Sequence, residues 1–409
     1  MNILHNIHLN TKEIDILPNL FLNDTYRKLI KNGRTYASFT IEELDRIFNE
    51  IKTISEPILD PMSGYGGLMT YCSQRGISTY NLEINLPAYF WQILINPQNF
   101  DIFNKIIEEL LVSIRKLPKT NFKPTASNDW FSKEGISTSI ILHEHIFKNY
   151  VLKYSNNMEL SIALILPFIK RFSTSISGDL TFLKKGGITV FNKWDQDFHN
   201  YLAILKKYKF STNPQKTIHN IQHGDIRSFH FNRKFNLVIT SPPYPNYRDY
   251  YKMFAPENYF LTKIGYRTNQ ESVIGTNVVK NRKTGQIICP SVKKFISKLD
   301  SYEGSKKAES DIKSYYLPYF KNYFFDLETT CHNIIRHLEP KSTCYLVVVD
   351  NATRNLVVPV SQVIQEYFKV YGFTSIILFV DEVFHFGTKN PHARGSKAKH
   401  KKYILKLWR

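Results

Sequence analysis

Apolar residues along this chain follow two rhythms. Short runs rich in β-branched side chains, bounded by proline, glycine or polar residues, read as buried strands. The clearest is Phe235-Asn236-Leu237-Val238-Ile239-Thr240, which ends abruptly at Ser241-Pro242-Pro243-Tyr244. Two prolines fix φ and cannot continue a sheet, so the chain must leave it at Ser241. Similar runs fall at about 57–60, 78–83, 217–222, 343–349, 374–380 and 402–408. Elsewhere apolar positions recur at helical spacing, as in Ile41 to Phe48, Ile102 to Leu117 and Ser139 to Leu152. Thr40 is placed to cap the first of these, with Glu43 three residues on. Strands alternating with helices predict an α/β chain, and ligands in open α/β sheets sit at the strands' C-terminal edge.

Two turns carry candidate chemistry. After the 235–240 strand, a hydroxyl (Ser241), a backbone carbonyl (Pro242), a second proline (Pro243) and an aromatic face (Tyr244) are held together at that edge. A flat ring bearing an exocyclic amine needs acceptors for its amine hydrogens and a face to stack on. Upstream, Pro57-Ile58-Leu59-Asp60 runs into Pro61-Met62-Ser63-Gly64-Tyr65-Gly66-Gly67. A helix closed by Gly76 and a strand, Ser78 to Glu83, follow. Strand, glycine turn, helix, strand and terminal acid form a βαβ unit with a nucleotide-binding layout. The glycines let backbone approach a ligand, and Glu83 can accept the two ribose hydroxyls.

Together, Leu59-Asp60-Pro61-Met62-Ser63-Gly64-Tyr65-Gly66 and Thr240-Ser241-Pro242-Pro243-Tyr244 resemble the amino-methylating DNA methyltransferases that use S-adenosylmethionine. Serine before Pro-Pro-Tyr is similar to the cytosine-N4 branch of bacterial restriction–modification systems; the adenine-N6 branch usually has aspartate there. The resemblance implies a Rossmann-like seven-stranded sheet with helices on both faces and an antiparallel last strand. It implies Asp60, Pro61, Ser63, Gly64, Gly66, Glu83 and Asp225 as cofactor-binding residues, with Asp225 of Gly224-Asp225-Ile226 near the adenine. It implies Ser241, Pro242, Pro243 and Tyr244 as the catalytic turn, acting on a base flipped out of double-stranded DNA. In the family a segment before the glycine loop touches the methionine carboxylate, and Tyr36-Ala37-Ser38-Phe39 is the nearest candidate. Met62, Tyr65 and Gly67 depart from the family's usual residues. A ring at Tyr65 is expected either to crowd the methionine end of the cofactor or to face solvent. No Pro-Cys pair exists, so the thiolate chemistry of cytosine-C5 methylation is excluded.

The expected catalytic core spans 1–85 and 216–409. Insertions at 86–215, mainly helical, and 250–320, after the catalytic turn, are candidates for target recognition. A connection as long as 86–215 must carry structure of its own. In 250–320, Arg267, Asn269 and Arg282 are of the types that read base edges. Lys+Arg 54 against Asp+Glu 35 gives a net charge of +19, which attracts polyanions. A basic stretch, Lys389 to Lys402, reads as an anchored loop before the last strand. Cys72, Cys289, Cys331 and Cys344 have neither zinc nor disulfide spacing, so a reducing cytoplasm is expected. His143 and His145 lack zinc-protease spacing, and no metal site or membrane span is expected. The residues leave three readings open: a cytosine-N4 enzyme, an adenine-N6 or RNA amino-methyltransferase, or a decayed DNA-binding methyltransferase fold. The oligomeric state, monomer or homodimer, is also open.

Overall fold

A computed structural model of the chain describes residues 39–113, 117, 126–127, 129–173, 187–188, 194–207, 217–245, 251, 254–268, 273–276, 285, 287–353, 356–383 and 400–409. Seven strands form one sheet: β1 (Ile58–Asp60), β2 (Thr79–Glu83), β3 (His219–His223), β4 (Phe235–Thr240), β5 (Leu338–Asp350), β6 (Thr374–Val383) and β7 (His400–Trp408). Their order is β6-β7-β5-β4-β1-β2-β3. Only β7 runs against the rest, and it lies between β5 and β6. This is the Rossmann-like methyltransferase sheet that the resemblance implies.

Strand burial follows the two-residue period, with a different core on each face. Ile58, Leu237, Ile239, Tyr345, Val347 and Ile404 pack with Leu44, Ile47, Leu68 and Tyr71 of α1 (Ile41–Glu50) and α2 (Gly67–Ser73). Leu59, Val238, Cys344, Leu346, Val348, Leu405 and Leu407 face the opposite way. Between β2 and β3 lie α3 (Leu86–Ile95), α4 (Phe100–Ser113), α5 (Lys133–Asn149), α6 (Glu159–Ile165) and α7 (Trp194–Lys207). They share a third core, to which Phe260 and Leu261 of α8 (Ala255–Lys263) also belong. Later come α9 (Pro290–Asp300), α10 (Lys306–Asp311), α11 (Leu317–Arg336) and α12 (Val360–Val370). Of these, α9, α11 and α12 cover the β5–β7 side opposite α1 and α2. Among the described residues no helix is long and apolar enough to cross a membrane.

Several sequence expectations need adjustment. The capping box on α1 forms as expected: Glu43 N donates to Thr40 Oγ1 (3.2 Å) and Thr40 N to Glu43 Oε2 (2.9 Å). By contrast, β5 begins at Leu338, not near 343. Glu339-Pro340 reads as a break, yet the strand carries on through it with a register shift against β4 between Phe235 and Leu237. Helix α4 starts at Phe100 and ends at Ser113; α5 starts at Lys133, six residues before Ser139. His400, Lys401 and Lys402, expected in the basic loop, belong to β7, and Lys402 pairs with Glu43. Arg394, Lys397, Lys399, Asn269 and Arg282 lie outside the described residues, as do Tyr36, Ala37 and Ser38. Phe39 packs with the α1–α2 core.

Candidate active site

The order of the sheet reverses between β1 and β4: β2 and β3 extend one way, β5 to β7 the other. Turns leaving neighbouring strands at such a point diverge and open a crevice. A cleft with about 680 Å³ of empty space, part of it open to solvent, lies there. Pro61, Met62 and Gly64 of the glycine loop line it, as do Glu83, Gly224-Asp225-Ile226 and all of Ser241-Pro242-Pro243-Tyr244. Val273 and Ile274 complete an apolar wall. Both sequence motifs therefore share one cleft. Asp60, Ser63 and Gly66, also expected to bind cofactor, stand behind its wall.

Each of those three has a structural task. Asp60 is buried, and its Oδ1 accepts from Thr240 Oγ1 (2.8 Å) and Met62 N (3.3 Å). The end of β1 is thereby tied to the last residue of β4, immediately before the Ser241–Tyr244 turn. Burial pushes the Asp60 carboxyl up to about 7, the Thr240 and Met62 bonds opposing that shift. Ser63 Oγ donates to the Leu82 carbonyl (3.1 Å) and so pins the loop to β2. Gly66 begins α2 with φ of 75°, a left-handed conformation suited to glycine. A Cβ there would also sit 3.0 Å from Gln92 Cγ.

Glu83 joins strand end and loop. Its Oε2 accepts from Gly64 N (2.7 Å) and its Oε1 from Asn85 N (2.8 Å). Burial raises this carboxyl to about 8, against the pull of both amides. A carboxylate has about four acceptor sites, so room remains for a further donor. Asp225, on the opposite rim, is gripped by Arg227: Nε lies 2.9 Å from Oδ1 and Nη2 2.6 Å from Oδ2. Arg227 Nη1 also reaches Asp326 Oδ1 of α11 (2.7 Å). Neighbouring Gly224 has no room for a side chain, since a Cβ would fall 2.5 Å from Phe229 Cδ2.

In the turn after β4, Ser241 Oγ donates to the Val347 carbonyl (3.0 Å). Tyr244 is buried and its hydroxyl lies 2.8 Å from the same Oγ. With the serine proton committed to Val347, the Ser241 oxygen acts as an acceptor. Tyr323 donates its hydroxyl hydrogen to the Pro243 carbonyl (3.0 Å). Tyr65 neither crowds the cleft nor faces solvent alone. Its partly buried ring packs on Trp91 (5.9 Å) and Phe254 (5.7 Å), toward the helical insertion.

Sequence reading missed Gln92, Arg227 and Tyr323. Buried Gln92 donates from Nε2 to the Gly64 carbonyl (2.7 Å) and to Ser63 Oγ (2.8 Å). Its signal was legible: one amide within Leu86-Pro87-Ala88-Tyr89-Phe90-Trp91-Gln92-Ile93-Leu94-Ile95. A second cavity adjoins the cleft at Asn85, Gly224, Asp225 and Val273, and Arg267 lines it.

The cleft suits S-adenosylmethionine by its chemistry. Glu83 offers acceptors, Gly64 a backbone without a side chain, and Met62, Ile84, Ile226 and Ile274 apolar walls. Sheet and switch-point cleft together define a methyltransferase-type architecture. The chain is 22% identical, over 419 aligned positions, to the Type II methyltransferase M.MvaI of Kocuria varians. That alignment covers 91% of this chain and 87% of its relative. No protein-family model matches the chain.

Proposed function

We propose that this protein is a site-specific DNA methyltransferase that modifies cytosine N4 in double-stranded DNA, as part of a restriction–modification system. The observation that carries this reading is Ser241, an oxygen acceptor at the cleft with its proton held by Val347. Such a group suits an exocyclic amine, which brings N–H donors, and does not suit a carbonyl. When bound, S-adenosylmethionine would supply the methyl group, its sulfonium leaving as the neutral thioether, and the methylated amine would give up one proton to water.

Glu83 would hold the ribose hydroxyls and Asp225 the adenine amine. Pro61 and Gly64 would flank the cofactor's chain, while Asp60, Ser63 and Gly66 fix the loop that carries them. At the catalytic turn, Ser241 Oγ and the Pro242 carbonyl accept from the target amine and orient its lone pair. Positioning of this kind is the enzyme's main task where the donor is already reactive. The amine N–H replaces the Tyr244 hydroxyl on Ser241, and the released ring stacks on the base. Extruding that base costs a few kcal/mol, offset by these contacts. The core is assigned to 1–85 and 216–409, and the regions 86–215 and 250–320 to target reading. A net charge of +19 favours the DNA phosphates, and the four buried free cysteines agree with a reducing cytoplasm.

Nucleoside mass spectrometry of plasmid DNA from expressing cells tests the reading. N4-methylcytosine is the expected product. N6-methyladenine would reassign the base, and unmodified DNA from a folded protein would remove the activity.

A further inference from the structure

We propose that a buried polar stripe on α11 holds the cofactor rim and the catalytic turn in fixed relation, Tyr323 serving methyl transfer and Asp326 serving cofactor binding. The inference rests on the methyltransferase reading above. Tyr319, Tyr323, Asp326 and Asn333 are spaced four, three and seven residues apart, so they share one helical face. All are between 1% and 6% exposed. A buried helical face is ordinarily apolar, and this one is not.

The stripe's hydrogen bonds go to the loops that line the cleft. Tyr319 donates to the Gly275 carbonyl (3.4 Å) and Tyr323 to that of Pro243 (3.0 Å). Asp326 accepts from Arg227, which grips Asp225 with two further nitrogens. Asn333 donates to the carbonyls of Ile226 (2.6 Å) and Phe229 (2.7 Å), on the same acidic turn. Just before α11, Ile312–Tyr316 forms a π-helical segment. Such a segment shifts the phase of the residues after it and is frequent near functional sites. Here the residues after it place their polar stripe against the cleft.

Tyr323 and Asp326 are three residues apart, a rise of about 4.5 Å on a rigid helix. One gauge thus sets both subsites. Tyr323 fixes the carbonyl between Pro243 and Tyr244, and with it the turn carrying Ser241. Asp326 stops Arg227 from rotating and so aims the Asp225 carboxylate. Neither needs to touch substrate; both are positioning residues. A misplacement of about 1 Å can cost roughly 10²-fold in rate.

The test compares wild type with Tyr323→Phe and Asp326→Asn, each checked by thermal unfolding. Cofactor affinity is measured by calorimetry on the free protein, and the transfer rate by single turnover on plasmid DNA at saturating S-adenosylmethionine. Tyr323→Phe keeps the packed ring and should slow transfer by about tenfold or more, with affinity within about twofold. Asp326→Asn should weaken cofactor binding about tenfold while transfer at saturation stays within about threefold. Arg227→Lys keeps the charge and loses the two-pronged contact, and should reproduce the Asp326→Asn pattern. Variants that lower both quantities together, or neither, overturn the inference while leaving the methyltransferase reading standing. A wild type that neither binds the cofactor nor transfers overturns that reading and this inference with it.

Discussion

The two turns that meet in the cleft are stiffened in opposite ways. The glycine loop after β1 has backbone freedom, with Gly64 and Gly66 at φ of 53° and 75°. Its rigidity is imported: Glu83 and Gln92 hold the Gly64 amide and carbonyl from outside, and the Leu82 carbonyl holds the Ser63 hydroxyl. The turn after β4 is stiff in its own covalent structure, through Pro242 and Pro243. It needs few anchors, of which the Tyr323 bond to Pro243 and the Ser241 bond to Val347 are two. A loop built this way can close backbone around a ligand, yet it fails when a distant side chain is lost. A proline turn holds its own backbone shape, so its weak points are the hydroxyl it presents and the few anchors that aim it, Tyr323 among them.

Ser241→Ala probes that weak point and should have the largest effect. Loss of one bond made in the transition state typically costs about 2.7–4 kcal/mol, a rate loss of roughly 10²–10³-fold. Methyl transfer should fall by that factor with cofactor affinity unchanged in calorimetry. Activity within a few-fold of wild type would take Ser241 out of the mechanism and end the contrast between the turns.

Glu83→Ala attacks the other turn from a distance. It strips acceptors from the amides of Gly64 and Asn85 as well as from the ribose that Glu83 is proposed to hold. Affinity for S-adenosylmethionine should drop about a hundredfold, about 2.7 kcal/mol, in line with the cost of stranded buried donors. An unchanged affinity would show that the ribose is held elsewhere.

Gln92→Leu sharpens the comparison, because Gln92 lies behind the loop and not in the cleft. Stranding the Gly64 carbonyl costs about 1–3 kcal/mol. The unfolding temperature and cofactor affinity should both fall, and the transfer rate at saturation should hold. A slower transfer with intact affinity would mean that the loop also aligns the methyl group.

The last expected effect is one of pH. In the folded protein Asp60 titrates near 7 and Glu83 near 8, above their ordinary 3.8 and 4.5. Between those values the folded state holds protons that the unfolded chain has released. Stability of the cofactor-free protein should therefore fall as pH rises from about 5 to about 8. Asp60→Asn keeps an acceptor for Thr240 and should flatten part of that slope in chemical denaturation. A slope of the same size in the variant would assign the protons to other groups.

Much of this architecture was legible in the sequence, for identifiable reasons. Strands such as Phe235–Thr240 are dense in branched apolar side chains and stop at prolines, so local pattern and fold agree. The start of β5 was hidden because Glu339-Pro340 imitates a break, and only pairing with its neighbours carries the strand through it. Glycines and acids facing the cleft could be read from their order along the chain. The residues that hold them were harder to read: a lone amide in an apolar helix marks Gln92, but its target, like those of Tyr323 and Asp326, is set by the fold and lies 28, 80 and 99–101 positions away in sequence. Arg227 was hidden for another reason: its role depends on bridging local Asp225 to distant Asp326.

The placement of β7 has a consequence for the order of events during synthesis. Ribosomes deliver the chain from its N-terminal end at about 5–20 residues per second. Strands β5 and β6 emerge first, and neither has its final neighbour until residues 400–408 follow. Until then the side of the sheet that carries Val347, the anchor of Ser241, lacks an inserted partner. The strand that anchors Ser241 is therefore fully paired late, after every residue lining the cleft, the last of them Ile274, has left the ribosome. A nascent chain halted before Lys401 would carry both sequence motifs and still present an unpaired strand edge, a substrate for chaperones.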